Sequence, residues 1–122
     1  MRVASRVLLL ALICAPASVL AADWPQWRGP GRNGVSAETG LLKRWPVTGP
    51  PRVRTVNGLG EGYASVVVSD GRLVTIGKQG ETVFASCFSD SSGRLLWSTR
   101  IGQTSRKALS TPTIDGKRVY AL

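Results

Sequence analysis

The chain contains no histidine and only two cysteines among its 122 residues. Without histidine, the Ser-His and Cys-His nucleophile pairs of hydrolases are excluded, as are zinc sites built on histidine. Cys14 lies in an apolar N-terminal segment and Cys87 in the body of the chain. If that segment is removed, no internal disulfide can form, and Cys87 is then predicted to be a small buried apolar side chain.

Acidic residues are also few, because 7 Asp and Glu stand against 16 Lys and Arg, which gives a formal net charge of +9. Nucleic-acid binding is one function that such a balance suggests. The basic residues are spaced out and interrupted by Pro and Gly, which indicates a scattered basic surface instead. We therefore expect no nucleic-acid partner and rank an anionic envelope component, lipid headgroup or polysaccharide, above it. The carboxylates lie mostly at turns and lack calcium-ligand spacing, so neither a catalytic nor a metal site is predicted.

No apolar period of 3.6 residues follows the N-terminal segment, so a helical fold is not expected. Residues 1–22 have the order of a secretory signal peptide, with two arginines, an apolar core from Val7 and small residues up to Ala22. The alternative is an uncleaved anchor, but this run is short for a bilayer span and contains Pro16. Cleavage after residue 21 or 22 is predicted, leaving a periplasmic or secreted protein without a transmembrane span.

Residues 23–57 form a lead-in rich in Trp, Pro and Gly, in which no regular period survives. We interpret it as an extended segment that is anchored on a domain by Trp24, Trp27 and Trp45. A sugar- or ligand-stacking platform is the functional alternative for these rings. Residues 52–57 alternate and are predicted to form an edge strand. The glycine-rich stretch 58–62 precedes a strand and not a helix, so a close backbone approach is favoured over phosphate binding.

The region from Tyr63 to Arg100 predicts a meander of antiparallel strands, because short apolar runs alternate with turn signals. Asp70-Gly71 is the strongest of these signals, since Gly accepts the positive φ of a type I′ turn. The other two turns are predicted at residues 78–81 and 90–93. The four predicted strands are 63–68, 72–77, 82–89 and 94–100, followed by a polar loop at 101–109.

The stretch from Ser110 to Leu122 repeats the pattern of residues 65–76, an apolar strand followed by Asp-Gly, a basic residue and a second apolar strand. Asp115-Gly116 follows Asp70-Gly71 by 45 residues. A period of roughly 40–45 residues with four strands is that of a β-propeller blade. The predicted fold is therefore all-β, with one complete four-stranded antiparallel blade and the start of a second in the repeat region 58–122.

The stretch from Cys87 to Trp97 resembles the tryptophan-docking motif of pyrroloquinoline-quinone (PQQ)-like β-propeller repeats, Ala-x-Asp-x-x-Thr-Gly-Lys-x-x-Trp. Gly93 and Trp97 match that pattern, and Ser89 stands at the position of its Asp. The opening residues 23–30, DWPQWRGP, resemble the mature start of exported bacterial members. The resemblance implies that Trp97 packs between adjacent blades and covers the outermost strand. It therefore has a structural role, together with the turn residues Asp70, Gly71, Gly93, Asp115 and Gly116.

About 100 residues remain after cleavage, whereas a closed propeller has typically 4–8 blades. The chain is therefore expected to be an incomplete propeller and an N-terminal fragment of a longer protein. The favoured function is a non-catalytic exported scaffold that binds a protein or envelope partner and self-associates through open blade edges. The alternative is the N-terminal piece of a PQQ-dependent quinoprotein oxidoreductase, whose PQQ and calcium would be held by residues from many blades. None of those residues can be mapped here, so no cofactor is predicted.

Overall fold

The computed structural model describes residues 22–122, and the predicted signal peptide, apart from Ala22, lies outside the described residues. The described chain is all-β and contains no helix. A four-stranded antiparallel sheet has the strand order β1-β2-β3-β4, and a separate two-stranded sheet follows it. The strands are β1 Val67–Ser69, β2 Arg72–Gln79, β3 Thr82–Ser89, β4 Leu95–Gln103, β5 Thr113–Asp115 and β6 Arg118–Tyr120.

The tight turns of the meander follow from glycine placement. Asp70 and Gly71 have φ of 50° and 68°, so both central residues are left-handed, as a type I′ turn requires. At the next turn only the first residue, Gly80, has positive φ (60°), which is the pattern of a type II′ turn. This turn contains two residues and not four, because Lys78 and Gln79 already pair with β3.

The first predicted strand is much shorter than expected. Only Val67–Ser69 pairs with β2, although the prediction began at Tyr63. The preceding residues leave the sheet: the Tyr63 N–H donates to the Ala108 carbonyl oxygen at 2.7 Å, and the Ser65 N–H donates to Thr111 Oγ1 at 3.0 Å. These residues therefore bond to the loop before β5 instead of extending β1.

The fourth strand is longer than predicted, and the strand predicted at 52–57 is wrong. β4 continues to Gln103 because β3 begins at Thr82 and these two residues pair. Residues 52–57 have no strand geometry, and of them only Val56 is half-buried. The chain joins β2 later, where Glu61 and Lys78 exchange backbone hydrogen bonds of 2.8 and 2.9 Å.

One face of the four-stranded sheet carries most of the core. Val67, Val74 and Cys87 are cross-strand neighbours and form one buried cluster. Ile76, Ala85 and the loop residue Ala108 form a second cluster further along. Because side chains alternate along a strand, this face takes every second residue of β2 and β3.

The opposite face is crossed by the glycine-rich stretch 58–62. Gly77 of β2 lies so close to the Leu59 carbonyl oxygen that a Cβ atom would overlap it. A Cβ on Gly60 would lie 2.8 Å from the Lys78 carbonyl oxygen. This geometry confirms the prediction of a close backbone approach at 58–62. Between the strands, the hydroxyls of Ser86 and Ser98 are hydrogen-bonded at 2.8 Å.

The lead-in is anchored by one tryptophan and not by three. Trp24 forms a two-way backbone bridge with Val68, with N···O distances of 2.8 and 3.0 Å. Its ring packs on buried Gly29, where a Cβ would lie 2.8 Å from the ring carbons. Trp27 and Trp45 are 61% and 65% exposed, so the prediction that they also anchor the lead-in is wrong. Only Trp24 lies where the chain runs alongside β1, and Trp27 is instead accompanied by the Arg28 guanidinium, 5.4 Å from its ring centroid.

Candidate functional site

The candidate site is the cleft between the four-stranded sheet and the β5–β6 hairpin. Its apolar floor is formed by Val74 and Cys87 of the sheet and by Ile114 and Val119 of the hairpin. Two turns form its rim, the β1–β2 turn around Asp70 and the β5–β6 turn around Gly116, and Trp97 completes the lining. The structure therefore brings Asp70, Trp97 and Gly116 together, with Gly71 and Asp115 adjacent in sequence.

The cleft is a packing interface between the sheet and the β5–β6 hairpin, which we call the joint, and not a substrate pocket. Its volume is about 70 Å³, whereas ligand pockets measure about 300–1,000 Å³. The two hairpins are also connected by the lead-in, because Trp24 bonds to β1 while the Pro25 carbonyl oxygen accepts the N–H of Ile114 at 2.8 Å. Two consecutive residues of the lead-in, Trp24 and Pro25, thus connect β1 with β5.

Trp97 lies in line with the buried residues of this face. It pairs with Cys87 in register and so continues the row that runs from Val67 through Val74. Its side chain nevertheless stays 37% exposed, since β4 is the outermost strand and the hairpin covers only part of it. The ring therefore lines the joint without being buried in it.

The two turns of the rim differ by one residue in register. Ser69 pairs with Arg72, which leaves Asp70 and Gly71 as the turn. In the second hairpin Asp115 pairs with Arg118, so Gly116 and Lys117 form the turn and Asp115 is the last strand residue. Gly116 alone has positive φ (55°) there. Asp70 and Gly71 are thus both turn residues, whereas in Asp115-Gly116 only the Gly belongs to the turn.

The charges at the rim are mostly positive. Arg72, Lys117 and Arg118 line the cleft, and Asp70 is the only acidic residue among its lining residues. The Asp70 carboxylate lies 3.3 Å from the Arg72 guanidinium, but both side chains are well exposed, so this pair contributes little to stability. Asp23 of the lead-in accepts the Ser69 hydroxyl at 2.7 Å and the Asp70 N–H at 3.3 Å, which fixes the lead-in against the turn.

Cys87 lies on the floor of the cleft and is fully buried, as the sequence predicts for a small apolar side chain. Burial raises the pKa of its thiol, and the positive charge of Arg72 only partly opposes that effect. The thiol therefore stays protonated at neutral pH. Because the thiolate and not the thiol is the nucleophile, Cys87 is suited to packing and not to covalent chemistry.

Gly93 lies away from the cleft, in the turn between β3 and β4. Its φ is 69° and its N–H donates to the Ser89 carbonyl oxygen at 2.7 Å. Ser89, which stands at the position of the motif's Asp, uses its hydroxyl to accept the Ser92 N–H at 3.3 Å. A serine thus supplies the turn-capping acceptor, and Asp90 lies 3.9 Å from Arg54 of the lead-in.

A larger cavity of about 310 Å³ lies at the far end of the same sheet face. Sequence reasoning missed it, because its residues come from β2, β3, the end of β4 and the following loop. Ile76, Val83 and Ala108 are among its apolar lining residues, and Arg106 and Lys107 supply positive charge. This size and lining fall at the lower end of small-molecule pockets.

Within residues 22–122, no three His, Cys, Asp or Glu side chains converge as a metal site would require. No residue and no chemical step is assigned to PQQ or to calcium. Over the same residues, no helix has the length and apolar character needed to cross a bilayer. No known protein-family model, characterised protein or solved structure matches this chain.

Proposed function

We propose that this chain is part of an exported PQQ-like β-propeller and serves as a non-catalytic scaffold that binds a protein or envelope partner. One observation carries the proposal: the β5–β6 hairpin packs face-on against the four-stranded sheet, with Ile114 and Val119 over the buried Val67, Val74 and Cys87. Successive blades of a propeller stack through such apolar faces. The position of Trp97 beside this joint fits the role that the docking motif implies.

The scaffold function is favoured over catalysis because the joint offers packing groups and no activated nucleophile. Its thiol is protonated, and its carboxylate Asp70 is exposed and lies next to Arg72. Strands β4 and β6 lie at the edges of the described sheets, which supports binding by strand addition or self-association. The alternative function, the N-terminal piece of a quinoprotein oxidoreductase, rests on the family resemblance alone.

The activity test supplies the exported protein with PQQ and calcium. Alcohols and sugars serve as substrates, and an artificial dye serves as the electron acceptor. We expect no dye reduction above the control without protein. Reproducible reduction that requires PQQ would overturn the scaffold function and favour the oxidoreductase. The reading frame downstream of Leu122 gives a second discriminator, since quinone and calcium ligands encoded in further blades would also favour the enzyme.

A further inference from the structure

One exposed loop of the lead-in contains four basic residues. We define the basic loop as residues 39–54, which contain Lys43, Arg44, Arg52 and Arg54 and no acidic residue. Arg54 lies 3.9 Å from Asp90, so its charge is partly compensated by the body of the protein. The other three cations are exposed. The basic loop therefore presents a net positive surface to solvent.

The same loop exposes large apolar side chains within seven residues. Leu41, Leu42, Trp45 and Val47 are 64%, 70%, 65% and 108% exposed. Scattered single apolar residues are ordinary on a protein surface, whereas several exposed ones close together in the chain favour an interaction site. The β-sheet core does not bury these side chains, so they are available to a partner.

The tip of the basic loop is a defined turn. The Gly49 N–H donates to the Pro46 carbonyl oxygen at 2.8 Å, which closes a four-residue β-turn with Val47 and Thr48 at its centre. Gly49 has φ of 77°, a conformation that glycine adopts without strain. The turn places the fully exposed Val47 at the tip, with Trp45 two residues before it and the cations Lys43 and Arg44 directly before Trp45.

We propose that the basic loop binds the surface of anionic phospholipid bilayers. Trp45 and Val47 enter the headgroup region, where tryptophan is favoured because its ring is apolar and its N–H is polar. Lys43, Arg44 and Arg52 pair with lipid phosphates, as polybasic segments do at anionic surfaces. A polysaccharide could use the cations and Trp45, but it would leave Leu41, Leu42 and Val47 without a function.

The binding test uses the exported protein, with its N-terminus established by mass spectrometry, and vesicles of phosphatidylcholine alone or mixed with an equal part of phosphatidylglycerol. We expect cosedimentation with the anionic vesicles only, weakening as salt is added. The double variant Lys43→Glu/Arg44→Glu should bind at least about tenfold more weakly. Its matched control, Lys117→Glu/Arg118→Glu, makes the same charge change at the β5–β6 turn and should bind within about twofold of the wild type.

Insertion is tested by a readout local to the loop. With brominated phosphatidylcholine in the anionic vesicles, tryptophan fluorescence should be quenched, and Trp45→Phe should remove most of that quenching. Trp27→Ala, which removes a similarly exposed tryptophan elsewhere in the lead-in, should leave it. Equal binding to neutral and anionic vesicles, equal losses in both charge variants, or binding to soluble dextran sulfate but not to vesicles would each overturn the proposal.

Discussion

Strands β3 and β4 are neighbours in one sheet and have similarly apolar sequences, yet their burial is opposite. β3 buries four consecutive residues, Ala85 to Phe88. In β4, eight of nine residues are exposed, including Leu95, Leu96 and Ile101. An apolar run thus marks a strand in both cases, but only one of the two strands is buried.

The difference arises from the place of each strand in the sheet. β3 has a ladder partner on either side, and the β5–β6 hairpin packs over its Cys87. β4 is the edge, and it pairs with β3 through two bulges that leave Leu96 and Ile101 as extra residues. Bulges twist an edge and limit strand addition. The β4 edge is therefore apolar but irregular, which suits a specific partner better than unlimited self-pairing.

The largest difference in stability is expected between substitutions of two isoleucines, one inside the sheet and one on its edge. Ile76 in β2 is 3% exposed and Ile101 in β4 is 39% exposed. We expect Ile76→Ala to lower the free energy of unfolding by about 2–5 kcal/mol, because it opens a cavity in the core. Ile101→Ala should cost less than about 1 kcal/mol. Denaturant unfolding measures both, and equal losses would show that β4 belongs to the core.

A smaller effect is expected from two glycines in the same two strands. Gly77→Ala places a methyl group against the Leu59 carbonyl, so we expect a loss of about 1–3 kcal/mol from overpacking. Gly102 of β4 has open space around it and no positive φ, so Gly102→Ala should be neutral or slightly stabilising. The same unfolding assay applies. A tolerated Gly77→Ala would mean that the glycine-rich stretch 58–62 moves away from β2 freely.

The smallest effect concerns the buried thiol of β3 at alkaline pH. Burial raises the pKa of Cys87 in the folded state, so the folded protein holds this proton more tightly than the unfolded chain does. The contribution of this bound proton to the free energy of unfolding is complete below the unfolded pKa of about 8.5. It is lost as pH rises through the folded pKa. The loss should be at most about 1.4 kcal/mol per pH unit, the limit for one proton.

Cys87→Ala provides the control for this pH dependence. Its stability should start lower but decline less steeply above neutral pH than that of the wild type, because the two proteins differ only in the Cys87 thiol. The quantity to compare is the slope of unfolding free energy against pH. Identical slopes would show that the thiol is accessible to water in the folded protein.

Part of the candidate site was predictable from the sequence. The Asp70-Gly71 turn, the apolar alternation of β2 and β3 and the burial of Cys87 all follow from patterns within a few residues. The floor contributed by Ile114 and Val119 was not identified, although the repeated hairpin pattern was a signal for it. The one-residue shift at Asp115 was missed because an Asp-Gly pair can supply both residues of a turn or only its first residue, the Gly, and strand pairing decides which.

Short-range sequence patterns specify the all-β meander and its Asp-Gly turn, because positive φ at glycine and the alternation of side chains are local requirements. Which apolar residues are buried depends instead on the packing of distant segments. Trp24 packs on Gly29 while Trp45 stays in solvent, and Cys87 is buried while its partner Trp97 remains partly exposed. Burial depends on residues far away in the chain, such as the β5–β6 hairpin over Cys87 and the Leu59 backbone over Gly77. No local pattern encodes those neighbours.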